Sequence, residues 1–350
     1  MWVYLIVVFA IFVLMFFEKV SFDYRKKNLK KFNKNGFFFA ACTILFIFSA
    51  FRYDVGWDYW AYYNTIKNDY VTNIISRNEY LTIFLVDLSK FIGITNIYFF
   101  INSLILMICI YLVIVKYSNN KWMSLIVFVT FPLFYLNSFS VIRIFTAIAI
   151  TFYAFKYIME NKFWKYIFFV YIASLFHQTA LIAILFYFIK YIKVKRSWVL
   201  FLVFISPFMG VILENIVNLY FPEYSVYLNE TDSIEGTKAI LVFLLMGILG
   251  FIYWDKLVYK DFSMEVMLKI FYFSLFIYIV FLENGTIGHR FSLYGTIFFI
   301  LILPKFMSLI KKDEQFTLNL IIYPVFILFY IYIIYTGAVT YLPYDTIFNF

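Results

Sequence analysis

The feature that most limits this chain is a succession of apolar runs, among them Phe37 to Phe51 and Ile97 to Val115, separated by short loops carrying lysine and arginine. In lipid a run of roughly 15 to 20 apolar residues can satisfy its own backbone only as a helix or in a closed barrel. A barrel would show alternating segments of about ten residues, and these runs are continuous. The predicted fold class is therefore all-α, a polytopic integral membrane protein of about twelve transmembrane helices forming one domain over 1–350. With 65% hydrophobic and only 14% charged residues, the composition excludes soluble globular classes. The formal charge of +9 could suit nucleic acid. However, the basic residues cluster in short inter-span loops, as at a cytoplasmic membrane face, which argues against that partner. Cys42 and Cys109 lie inside apolar runs, so neither a disulfide framework nor a thiolate metal site is expected.

Charge fixes the orientation. The run Trp2 to Phe17 has no basic leader and no small-residue cleavage site and is read as a retained span. Residues 18 to 36 follow with Lys19, Arg25, Lys26, Lys27, Lys30, Lys31 and Lys34, which places this loop inside and the N-terminus outside. Further spans are expected near 37–51, 97–115, 122–136, 141–158, 164–176, 179–191, 197–213, 238–254, 266–282, 291–310 and 317–336, with both termini outside. The short run Tyr80 to Phe91, with Asp87 and Lys90, is read as interfacial or re-entrant. Were it a full span, the basic loop Lys190, Lys193, Lys195, Arg196 would fall outside. This parity sends most of the 29 basic residues inward and most of the 20 acidic ones outward.

The outer face then holds the informative polar residues. FRYDVGWDYWAYYN, Phe51 to Asn64, places Arg52, Asp54, Asp58 and Tyr62 directly after a span, and a helix through Asp54 and Asp58 would put both on one face. An aromatic interfacial belt is the plainer reading of its Trp and Tyr residues. Arg52, Arg143 and Arg290 each sit at the outer end of a span; three converging guanidinium groups suit an anionic group such as a diphosphate, whereas singly each could snorkel to headgroups. His177 and His289 share this face. Counting about 1.5 Å per residue from Lys162 or Lys165 puts His177 about 18 to 22 Å into a slab about 30 Å thick. An ionisable residue at that depth faces water, a partner or a neighbouring span. Two histidines do not make a metal site. The outer loops 52–79 and 214–238, the second acidic and tyrosine-bearing, are read as parts of a site mouth.

Four stretches carry a resemblance: Arg52 with GWDYWAYY, NSFSVIRIFTAIAI around Arg143, ASLFHQTALIA around His177 and IGHRFSLY near the C-terminus. In this order they resemble the EpsG family of Wzy-type polysaccharide polymerases, over about residues 40 to 300. The resemblance implies glycosyl transfer at the outer leaflet of a bacterial cytoplasmic membrane, joining oligosaccharide units carried on undecaprenyl diphosphate into O-antigen, capsule or exopolysaccharide. A repeat-unit flippase and a chain-length regulator are the implied protein partners, and no cofactor or metal is called for. On that reading Arg143, Arg290 and Arg52 hold the diphosphate, and His177 or Asp58 is the general base. Asp54, Tyr62, Gln178 and His289 then contact sugar or acceptor. Single displacement with inversion is expected, because nothing singles out a second carboxylate as nucleophile. A polysaccharide ligase of like chemistry, a lipid-linked oligosaccharide flippase or transporter, and a membrane O-acyltransferase are the alternatives. A transporter should show inverted repeats and broken helices at the bilayer midplane, which the sequence does not reveal.

Overall fold

The computed structural model describes residues 1–28, 35–67, 75–193, 237–281 and 285–349, with a few positions between 205 and 219. Helix α1 (Trp2–Asn28) continues past its apolar part, so Lys19 is helical rather than in a loop. Lysine, arginine and glutamate are good helix formers, and extending a helix that already exists costs little. Then come α2 (Gly36–Ala50), the two-residue strand β1 (Arg52–Tyr53), α3 (Tyr59–Lys67), α4 (Tyr80–Ile92), α5 (Asn96–Tyr117), α6 (Lys121–Thr130), α7 (Asn137–Ser140) and α8 (Ile142–Met159). After α9 (Phe163–Phe176), a 3₁₀ segment Gln178–Ala183 leads into α10 (Ile184–Ile189). The chain continues with α11 (Thr237–Ile252), α12 (Trp254–Val258), α13 (Phe262–Val280), α14 (Gly285–Thr296), α15 (Phe299–Ser308), α16 (Lys312–Thr336), α17 (Ala338–Tyr341) and β2 (Asp345–Thr346).

Among the described residues five helices are long and apolar enough to cross a membrane: the Trp2–Phe22 part of α1, α5, α8, α13 and α16. A sixth span is formed if the bent pair α14 and α15 counts as one, with 44° between its halves. The expected count of about twelve is not reached by this measure. Five further apolar helices, including α2, α6 and α9, are shorter, and the expected span 197–213 lies almost wholly outside the described residues. The expected span 122–136 also breaks. It stops at Thr130 because Phe131, extended at φ −74° and ψ 132°, precedes Pro132, whose ring disfavours helical backbone one residue earlier. Among the described residues one broken helix that the sequence did not reveal is thus present, between α14 and α15.

Hydrogen bonds gather the ends of the bundle into two faces. At one, the Tyr4 hydroxyl donates to Tyr341 O (2.6 Å), β2 pairs antiparallel with β1 through Arg52 and Thr346, and Asn96 Nδ2 donates to Ala50 O (2.7 Å). The residues near both ends of the chain therefore share a face with the turn after α2. At the other face Lys121 meets Glu18 (3.0 Å), Lys305 meets Asp261 (2.7 Å) and Lys190 donates to Ile158 O (3.2 Å). Helices α8 and α13 are mostly buried, whereas α1 and α16 are mostly exposed and present Phe9, Phe16, Leu320 and Leu328 outward, as lipid-facing spans do. Helix α14 approaches α13 so closely at Gly295 that an added Cβ would lie 2.0 Å from Ser274 Oγ.

Candidate functional site

The turn after α2 is shaped by its contact with α7. Gly56, at φ +104°, brings its backbone onto Phe139, and a Cβ there would lie 2.1 Å from Phe139 O. Only glycine fits both the left-handed backbone and this approach. Gly56 N–H donates to Thr340 O (3.0 Å) and Trp57 N–H to Ser140 Oγ (3.3 Å), so α7 and the C-terminal segment together hold the turn. Asp58 follows, directly before α3, and its carbonyl accepts the Tyr62 N–H (3.2 Å).

Arg52 does not point to a ligand site. It is fully buried, with its guanidinium between the rings of Phe99 (5.2 Å) and Phe139 (4.7 Å). It donates to Ser49 O, to Ser49 Oγ (3.4 Å), to Val55 O (3.2 Å) and to Phe139 O (3.5 Å). Burial pulls the guanidinium down to about 10, with the surrounding tyrosines Tyr344, Tyr135 and Tyr59 opposing, so it stays charged at neutral pH. Its fork is engaged by carbonyls that the turn would otherwise leave unsatisfied.

Arg143 reaches the histidine through Glu79, and the charge of Arg290 acts on it. Glu79, buried at the start of α4, receives Arg143 Nη1 on Oε2 and stands 2.6 Å from His177 Nδ1 through Oε1. One carboxylate therefore bridges the N-terminal turn of α8 and the break between α9 and the 3₁₀ segment. The Thr82 hydroxyl, one turn along α4, donates to Phe176 O (2.9 Å) and fixes that break against α4. Burial pushes the Glu79 carboxyl up, but the bond with His177 and the charge of Arg143 more than offset it, holding it below the ordinary carboxylate range. Asp58 lies in the field of both Arg143 and Arg290; burial raises it to about 6, against the opposing pull of the two arginines. His177 likewise feels Glu79, Arg143 and Arg290. The Arg143 guanidinium lies 5.8 Å from the Tyr62 ring, which stacks on Tyr98 at 4.6 Å.

Asp58, Tyr62, Arg143, His177 and Arg290 thus form one cluster, and Glu79, absent from the sequence reading, stands at its centre. Gln178 is adjacent, its Nε2 donating to Ser76 Oγ (2.8 Å), and His289 Nε2 lies 3.4 Å from Asn137 Nδ2. Asp54 is exposed in a left-handed turn at φ +53°, where its charge acts on Tyr53, and Arg52 is apart as described. The acidic loop 214–238 lies almost wholly outside the described residues. Arginine, carboxylate and imidazole in contact, with the charge of a second arginine and the Asp58 carboxyl near them, can both bind an anion and move a proton.

Apolar helices in a bundle with such a cluster at one face define a polytopic membrane protein with a polar site at the end of its spans. The chain matches the EpsG family over residues 35–346 and belongs to it, a family of Wzy-like polysaccharide polymerases. Neither the curated proteins nor the solved structures gave a match.

Proposed function

We propose that the protein joins oligosaccharide units carried on undecaprenyl diphosphate at the outer leaflet of a bacterial cytoplasmic membrane. The observation supporting this most directly is the contact of Arg143, Glu79 and His177 beside Arg290 and Asp58. The acceptor hydroxyl attacks the anomeric carbon as the bond to the donor's diphosphate breaks, with inversion. The proton goes to His177, and the leaving diphosphate keeps the bonding electron pair. Arg290, with the donors of Arg143 not turned to Glu79, neutralises the charge that grows on the leaving oxygens. Asp58 then orients the acceptor sugar by accepting from a hydroxyl.

His177→Gln tests this. Losing a general base costs on the order of 10² to 10⁴ in rate, so cells carrying it should accumulate single lipid-linked units at the outer leaflet with only traces of polymer. Normal polymer from His177→Gln with none from Asp58→Asn would transfer the base role to Asp58. The broken helix formed by α14 and α15 favours a transporter as the second reading. A transport defect would instead leave the units on the inner leaflet.

A further inference from the structure

We propose that Glu79 is a positioning residue that holds His177 with its proton on Nδ1 and Nε2 open to the acceptor hydroxyl. This rests on the reading of His177 as the base. A carboxylate can only accept, so the 2.6 Å contact between Glu79 Oε1 and His177 Nδ1 is a hydrogen bond donated by the imidazole. That leaves Nε2 as the lone-pair nitrogen, and Nε2 makes no hydrogen bond among the described residues. The same carboxylate is fixed on its other oxygen by Arg143, so its rotation is closed from both sides.

Each of the three side chains comes from a different element: Glu79 from the start of α4, Arg143 from the first turn of α8, and His177 from the break after α9. The Thr82 bond to Phe176 O and the Gln178 bond to Ser76 Oγ tie the same two segments together on either side of the contact. Neither bond involves the reacting groups, so they fix the distance across which Glu79 reaches. When the acceptor proton arrives on Nε2, the imidazolium forms against a carboxylate already in place. Arg143 keeps Glu79 ionised, so the carboxylate stabilises that cation rather than taking its proton. The positive charges of Arg143 and Arg290 both act on His177 and disfavour the imidazolium, whereas Glu79 favours it. The proton leaves later to water, restoring the neutral ring.

The test uses the full-length protein in proteoliposomes, supplied with labelled lipid-linked units extracted from host cells lacking this protein. Glu79→Gln should lower kcat on the order of 10² or more while KM stays within about threefold, since Glu79 touches no substrate. In a His177→Gln background the same change should cost at least about tenfold less than in the wild type, because most of its effect passes through the imidazole and only the rest through Arg143. Glu79→Asp retains the charge opposite Arg143 and should recover part of kcat; it is the variant measured if Glu79→Gln does not accumulate. Unchanged kcat, a rise in KM alone, or a full additional loss in the His177→Gln background would overturn the proposal. Wild-type activity from His177→Gln alone would refute the underlying reading instead.

Discussion

Replacing Arg52 by lysine separates a scaffold arginine from a ligand-binding one. Lysine keeps the charge but loses the planar fork, so it cannot reach Ser49 O, Val55 O and Phe139 O together. Each buried carbonyl left without a donor costs about 1 to 3 kcal/mol. The bonds to Val55 O and Phe139 O are long, at 3.2 and 3.5 Å, which favours the lower end of that range. Losing the stacking between Phe99 and Phe139 adds about 0.5 to 2 kcal/mol. Together these give a destabilisation of about 2 to 5 kcal/mol. Thermal unfolding of the detergent-purified protein should show an earlier transition for Arg52→Lys, and membranes should contain less of it. Polymer formed per folded molecule should stay near the wild-type value. A variant of undiminished stability that makes no polymer would refute this reasoning and return Arg52 to the diphosphate.

Asp58→Asn should be more stable than the wild type at pH 7.5 and lose that advantage by pH 4, as followed by thermal unfolding across pH. The sign follows from burial: a carboxyl raised from its ordinary 3.8 to about 6 favours the folded state when protonated, so wild-type stability falls as pH rises through that interval, and asparagine removes the fall. A wild-type curve flat between pH 4 and 7 would contradict it. Arg290→Lys keeps a charge but loses bidentate geometry, and polymer yield at equal protein level should drop about tenfold or more if it holds a diphosphate; equal yield removes it from that role. A cysteine at Asn64 should react with an impermeant thiol reagent in intact cells and one at Asn28 should not. Labelling of Asn28 from outside would invert the orientation.

What the sequence disclosed was whatever depends on neighbours along the chain. The apolar runs located α5, α8 and α13. Phe131-Pro132 was also legible as a break, but the apolar residues beyond it masked the signal. Glu79 was not legible. A single glutamate before Tyr80 looks like an ordinary acidic helix start, and its partners Arg143 and His177 are 64 and 98 residues away. Arg52 misled for the opposite reason: an arginine at the end of a span looks identical whether it faces phosphate or backbone carbonyls. Only the left-handed turn around Gly56, folded over Phe139, decides between them.

The bond between Tyr4 and Tyr341, residues 337 apart, and the pairing of β1 with β2 bear on how the protein is made. The turn that carries Asp58 is synthesised early, yet Thr340 and Thr346, which clasp it, emerge at the far end of the chain. At roughly 5 to 20 residues per second, tens of seconds separate the two events. During that interval the spans already in the bilayer lack the support that shapes the turn. Chains ending after Thr336 should therefore enter the membrane and expose the Arg52 to Asp58 turn to external protease, whereas the full-length protein should protect it. The turn that carries Asp58 therefore takes its final shape only after Thr340 and Thr346 have been made.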